Sequence, residues 1–264
     1  MSRTDGLGVD LDSELALALE LADLADSITL PPFDARSFTI SRKADRSEVT
    51  EIDRGCEAAI VERLLAARPQ HAIFGEEHGR GGATDSIWTW VVDPIDGTSN
   101  FVRGVPVWGT LVSLVHADRG PLIGVVSAPA LGRRWWSTPG TAYANGRRIA
   151  VSDTSRMSDA HVSITLNDGW DRLGLTDRLV DLQRDAYRGR GFGDFWQHML
   201  VAEGVIDVAV DAIGLQPYDV AAVQAIVEAA GGRLTDRLGV RTFESDSAVS
   251  SNGALHDEVI ARLC

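Results

Sequence analysis

Cysteine is nearly missing from this chain: among 264 residues only Cys56 and Cys264 occur, far apart in sequence. That argues against a disulfide framework and fits a reducing compartment. Positive charge is also short, with 25 Lys and Arg against 38 Asp and Glu, a net charge of −13. Such a balance excludes a general nucleic-acid or anionic-membrane surface, so neither partner is expected. There is no basic-then-apolar leader and no apolar run long enough to span a bilayer; a cytoplasmic protein is expected. No internal repeat is evident. The glycine-rich stretch Arg188–Trp196, ahead of an expected helix, lacks the spacing and the lysine of a P-loop.

What is present is the composition of a globular protein, 44% hydrophobic and 24% charged. The length suits one large domain or two tightly joined subdomains. Apolar periodicity predicts a helix from Asp12 or Ser13 to about Ile28, stopped by Pro31-Pro32. Thr50 is the expected N-cap of a second helix reaching about Ala67. Short strands are expected at Phe38–Ile40, Ala72–Phe74 and Trp90–Val92, the last ending at Pro94. Arg80–Ser86 reads as a glycine-rich linker. Strands follow within Val105–His116, Leu122–Ala128 and Arg134–Ser137, and Asn145-Gly146 signals a hairpin. A polar turn near Ser152 suggests two subdomains, 1–151 and 152–264. In the second, strands at Ala160–Leu166, Val205–Val210 and Ala248–Ser251 alternate with helices. Those helices are Asp171–Arg184, one capped by Asp194, Val220–Ala230 and Ala254–Leu263. This alternation describes a layered α/β protein.

The central stretch is Trp90-Val-Val-Asp93-Pro94-Ile95-Asp96-Gly97-Thr98-Ser-Asn100-Phe101. Two carboxylates on one tight turn repel each other unless a cation lies between them, and hard oxygen ligands suit Mg²⁺. Alone, the motif fits an Asp-rich surface turn equally well. Asp53, Glu76, Asp194 and Asp219 likewise have plain explanations as first-turn, loop or capping residues. Together Glu76, Asp93, Asp96 and Asp219 follow apolar strands or start helices, places where side chains gather at one edge of a sheet.

At these residues the chain resembles the inositol monophosphatase-like family of Mg²⁺-dependent, Li⁺-sensitive phosphatases. Gly75-Glu76-Glu77, Asp93 through Phe101, Lys43 through Asp53, and Tyr218-Asp219-Val-Ala-Ala with Glu228-Ala-Ala-Gly231-Gly232 carry the likeness over nearly the whole chain. Glu48 and Tyr218 depart from the family pattern, which has Pro and often Trp there, without removing a ligand. The resemblance implies an α/β/α/β/α layered sandwich, a homodimer and two or three Mg²⁺ ions per site. It implies metal binding by Glu76, Asp93, Asp96, Asp219 and the Ile95 carbonyl, and phosphate binding by the Gly97 and Thr98 N–H groups. Thr98, paired with Asp53, would orient or deprotonate the attacking water; Glu76 would help hold it, with Glu77 supporting from behind. The ions would neutralise the phosphate and assist in-line attack.

The pattern from Arg190 to Phe195, then Asp211 and Leu215–Asp219, looks most like the family's histidinol-phosphate phosphatase branch. That implies a small phosphate monoester with an ammonium and an imidazole, for which Asp194, Asp211 and Trp196 are sensible partners. An inositol-1-phosphate or broader sugar or nucleotide phosphatase is the alternative. A regulatory binding protein on the same scaffold is the third reading, and the presence of all four metal-type carboxylates weighs against it.

Overall fold

The structure is a computed structural model describing residues 8–43 and 47–264. The expected frayed start over 1–7, and Asp45 of the Lys43–Asp53 segment, lie outside the described residues. The chain opens with α1 (Leu11–Ala35), a hairpin of β1 (Ile40–Arg42) and β2 (Glu48–Thr50), and α2 (Glu51–Ala67). Next come β3 (Ala72–Gly75), β4 (Gly79–Gly82), β5 (Trp88–Asp96) and the short α3 (Thr98–Arg103). A meander follows through β6 (Gly109–His116), β7 (Gly120–Ala128), β8 (Arg133–Thr138), β9 (Thr141–Ala144) and β10 (Arg147–Ile149). The remainder begins with β11 (His161–Ile164), α4 (Asp168–Arg172), α5 (Thr176–Asp185), β12 (Arg188–Arg190) and α6 (Asp194–Ala202). It closes with β13 (Val208–Val210), α7 (Pro217–Ala229), β14 (Arg233–Thr235), β15 (Val249–Ser251) and α8 (His256–Leu263).

Two sheets form the layers. The first has eight strands in the order β10-β9-β8-β7-β6-β5-β3-β4, antiparallel except for β3 beside β5. The second has five, in the order β12-β11-β13-β15-β14, with β11 parallel to both of its neighbours. Helices α1 and α2 cover one face of the first sheet, and α7, with α6 beside it, covers the other. Every residue of β6 is therefore buried. Leu179 and Leu182 of α5 and Val259 and Leu263 of α8 close the outer face of the second sheet over Val162, Ile164, Val208 and Val210. The expected α/β/α/β/α sandwich is the fold observed. At Gly124 of β7, α7 comes so close that a Cβ would overlap the Ala222 carbonyl. Among the described residues, no helix is long and apolar enough to cross a membrane.

Several local expectations change. Helix α1 runs through Pro31 and Pro32 to Ala35 and is capped by Asp10, whose side chain accepts from the Asp12 N–H. Two lost N–H donors are outweighed by packing beyond them: the Phe33 ring packs, tilted, with its centroid 5.4 Å from that of Phe101 and 5.1 Å from that of Trp108. Nor does β5 stop at Pro94. It continues to Asp96 through a bulge, since Asp93 pairs with Leu111 and Asp96 with Gly109, leaving one extra residue on β5. A bulge is where a strand tolerates proline, and the Pro94 carbonyl is taken by the Thr110 hydroxyl at 2.8 Å. Part of the expected linker is β4, paired with β3. The single helix expected over Asp171–Arg184 is two, separated at Gly174 with φ +68°. Strand β14 was not expected at all. Gly193, rather than Asp194, takes the N-cap position of α6, and Asp194 opens the helix with φ +49°. The hairpin at Asn145-Gly146 is observed, both residues having positive φ, as a two-residue turn between twisted strands requires.

In the second sheet, His256 is fully buried, with Nε2 2.8 Å from the Thr235 hydroxyl and Nδ1 2.9 Å from that of Ser251. Burial, then the charge of Arg233, pushes its pKa from 6.5 down to about 4. The unfolded chain therefore takes up this proton first, so the stability is full above about pH 6.5 and is lost as pH falls toward 4. The drop corresponds to roughly 3 kcal/mol. Urea midpoints of wild type and His256→Asn should converge across this window as pH falls; a constant gap would contradict the buried neutral imidazole.

Candidate active site

The site forms where β5 ends and where α3, α6 and α7 begin. The bulge after Asp93 lets β5 bring both Asp93 and Asp96 to the sheet edge, and Asp219 enters from the first turn of α7. Asp93, Asp96 and Asp219 each offer an oxygen, all within 4.8 Å of one another. One oxygen of each is fixed by a backbone N–H. Ile95 donates to Asp93 Oδ1 at 3.0 Å, Phe195 to Asp96 Oδ2 at 2.8 Å, and Gln216 to Asp219 Oδ2 at 2.7 Å. The Asp93 carboxylate also lies within hydrogen-bonding reach of Glu76 and Asp219, a crowding that a shared cation would relieve.

Three carboxylates this close cannot all ionise without cost. Burial, then the charges of Glu76, Asp96 and Asp219, pushes the Asp93 carboxyl well above the usual range. Asp96 is raised in the same sense by burial and by Asp194 and Asp219. Asp219 is raised to about 7, by burial first and then by Glu76 and Asp211 against the opposing Gln216 N–H. A hard divalent cation removes this repulsion, and an all-oxygen carboxylate set is the donor chemistry Mg²⁺ takes. The residues fit such an ion.

Glu76 flanks the trio on the Asp93 side, and its N–H continues the β3–β5 pairing to the Val92 carbonyl at 3.2 Å. Lys43 spans Glu76 and Glu77, with Nζ 2.7 Å and 2.6 Å from their oxygens. Burial alone would lower the ammonium's pKa; the two carboxylates outweigh it and raise it. Below them, fully buried Glu57 of α2 accepts the Glu77 and His78 N–H groups, both at 2.8 Å. A Cβ at Gly75 would overlap that carboxylate, so the strand end needs glycine. Glu57 thus sets the turn that carries Glu76 and Glu77. It stands one helical turn after Asp53, a spacing that could have flagged it.

Asp53 lies behind Thr98. Its Oδ2 accepts from the Thr50 hydroxyl at 2.5 Å and N–H at 2.9 Å, closing the capping box of α2. The Thr98 hydroxyl is 3.0 Å from Asp53 Oδ1 and 2.9 Å from the Ile95 carbonyl. It has one hydrogen to give and two acceptors for it. Burial raises the Asp53 pKa despite these donors. Glu76, Gly97 and Thr98 line a cleft of about 480 Å³ that Arg42 and Arg103 flank.

Beyond Asp96 sits a second acidic pair. Asp194 Oδ2 accepts from Asn100 Nδ2 at 3.0 Å, and burial, then the charge of Asp211, raises its pKa to about 6. Asp211 is 5% exposed, and its charge bears on Asp96, Asp194 and Asp219 alike. Trp196 lies on α6 against Phe192, ring centroids 5.2 Å apart, and packs on the core beside α7.

A fold with these carboxylates at these element ends defines a phosphatase scaffold, and the chain belongs to the inositol monophosphatase family, whose sequence profile matches residues 10–264. Within the family it is similar to a histidinol-phosphatase of Mycobacterium tuberculosis, 44% identical over 95% of this chain and 97% of the relative. A histidinol-phosphatase of Streptomyces coelicolor is 42% identical over 96% and 98%. In three dimensions the chain is similar to the Thermotoga maritima IMPase, with TM-score 0.84 at 29% identity over 95% and 96% of the two chains. The extragenic suppressor protein suhB of Bartonella henselae gives 0.87 at 25% identity over 95% and 98%.

Asp96→Asn keeps the acceptor for the Phe195 N–H and removes one repelling charge. Without metal it should melt about 2–4 °C above wild type, roughly 1 kcal/mol. With Mg²⁺ its melting temperature should rise less than wild type's, and phosphate release should be lost. A metal-free variant that melts below wild type yet gains the full Mg²⁺ shift would contradict the electrostatic account of this site.

Proposed function

We propose that the chain is a Mg²⁺-dependent phosphomonoesterase that hydrolyses L-histidinol phosphate to L-histidinol and phosphate, a step of histidine biosynthesis. The observation that carries this reading is the polarity of the site. Arg42 and Arg103 line the cleft at Glu76, Gly97 and Thr98, Arg103 paired with Glu48 on the same wall, while Asp194 and Asp211 add negative charge around Asp96. A substrate with phosphate at one end and an ammonium at the other matches that polarity; a neutral polyol phosphate brings no cation to the second acidic pair. The near-full-length likeness to two histidinol-phosphatases supports the same substrate.

Asp93, Asp96, Asp219 and Glu76, with the Ile95 carbonyl, would hold Mg²⁺, and Glu77 would support them from behind. Bound there, Mg²⁺ supplies Lewis-acid chemistry, neutralising phosphate charge and acidifying water. The chain's own residues do the rest. The Gly97 and Thr98 N–H groups precede the first internal bond of the turn, from Asn100 N–H to the Gly97 carbonyl at 2.8 Å, and serve the phosphate oxygens. Thr98 orients the attacking water through its hydroxyl and passes a proton to Asp53, whose raised pKa suits it to accept one. Asp194 and Asp211 receive the ammonium, and Trp196, one helix position from Phe195, borders the imidazole end.

Asp194→Asn should raise the KM for L-histidinol phosphate about tenfold or more, the loss of one charge-assisted contact. The KM for inositol 1-phosphate should stay level or fall. Equal increases for both substrates would remove Asp194 from recognition of the cation.

A further inference from the structure

Helix α6 carries a second polar residue one turn after Asp194, on the same face: His198, 2% exposed. Its Nε2 lies 3.0 Å from Asp211 Oδ2, and its Nδ1 lies 2.7 Å from the hydroxyl of Ser250. Ser250 is fully buried in β15, the neighbour of β13, and the chain leaves β13 directly into Asp211. The other Asp211 oxygen accepts the Ala212 N–H at 2.7 Å. Three buried groups from three elements thus form one line, Ser250–His198–Asp211, ending beside the site's carboxylates.

The order resembles a hydrolytic triad, but it runs the wrong way for one. The serine is sealed in the core, and the carboxylate is the member nearest the site. The chemistry of the line is therefore support. A carboxylate facing Nε2 requires a hydrogen on that nitrogen. A neutral ring meets this when the Ser250 hydroxyl donates to Nδ1, and a protonated ring meets it as well. Asp211 is crowded by Asp96, Asp194 and Asp219, and the Ala212 N–H serves only one of its oxygens, so the His198 ring is what fixes the other.

We propose that His198, braced by Ser250, is a positioning residue for substrate choice: it holds the Asp211 carboxylate in place so that Asp211 and Asp194 together receive the cationic end of the substrate. This rests on the reading that the substrate carries an ammonium group. Its role is to divide the acidic cluster in two. The trio at β5 and α7 is left to metal, and the pair at α6 and Asp211 is left to the organic cation.

The test is steady-state kinetics with Mg²⁺ on L-histidinol phosphate and on 4-nitrophenyl phosphate, a monoester without a cation, for wild type, His198→Leu, His198→Gln and Ser250→Ala. The readout is the ratio of the two KM values. His198→Leu should raise it about tenfold in disfavour of histidinol phosphate, the two kcat values moving together. His198→Gln, which keeps an N–H for Asp211, should recover most of the loss, and Ser250→Ala should shift the ratio the same way by less. If His198→Leu does not fold, Ser250→Ala decides. A wild type that prefers histidinol phosphate, with the ratio unchanged in the folded variants, overturns the role of His198 alone. A wild type without that preference overturns the substrate reading, and this proposal with it.

Discussion

Repulsion among Asp93, Asp96 and Asp219 is the constraint on which the rest of the molecule depends. Three carboxylate oxygens within 4.8 Å make a destabilising arrangement in the absence of a cation. The fold tolerates it because each carboxylate is tied to a different piece of rigid backbone. The bulge of β5 supplies the Ile95 N–H, the start of α6 supplies that of Phe195, and the turn into α7 supplies that of Gln216. A shift of any one element would release one carboxylate and reduce the repulsion. That the layers are packed tightly enough to prevent this, as where α7 crosses Gly124, is what makes the site a standing demand for metal.

Around that centre, charge is graded. Lys43, Arg42 and Arg103 stand on the side of Glu76 and Thr98, Lys43 paired with Glu76 and Glu77 and Arg103 with Glu48, and the second acidic pair stands beside Asp96 without a Lys or Arg partner among the described residues. The inner supports follow the same logic. Glu57 fixes the turn bearing Glu76, the Thr50–Asp53 capping box fixes the base behind Thr98, and His198 backs Asp211. Helix starts are used twice over in this protein, since Asp53 and Asp219 both close capping boxes and both point into the site.

Much of the site was legible because its signals are local. Asp93-Pro-Ile-Asp96-Gly97-Thr98 is six consecutive residues, and Asp219 stands at the start of an apolar helix, so both are marked locally, and the family resemblance joins them into one site. The layered fold followed from alternating strands and helices in the same way. Where reading failed, the deciding contact was distant. Pro94 looked like a strand terminator because the bulge against Leu111 and Gly109 is set by β6. Pro31-Pro32 looked like a helix stop because Phe33 packs on Phe101 and Trp108, far along the chain. Arg80–Gly82 reads as linker because its pairing with β3 has no side-chain signature. The roles of Glu57 and His198 rest on partners 20 and 52 residues away, at Glu77 and Ser250.

The most direct measurement is Mg²⁺-dependent phosphate release from L-histidinol phosphate and inositol 1-phosphate, compared as kcat/KM on the full chain. The charge-graded site predicts release only with the metal present, and at least about tenfold in favour of histidinol phosphate, the worth of one well-made charge contact. Equal rates on the two substrates, or a preference for inositol phosphate, would contradict the reading of Asp194 and Asp211. Release that persists after complete removal of divalent cations would contradict the reading of the carboxylate trio itself.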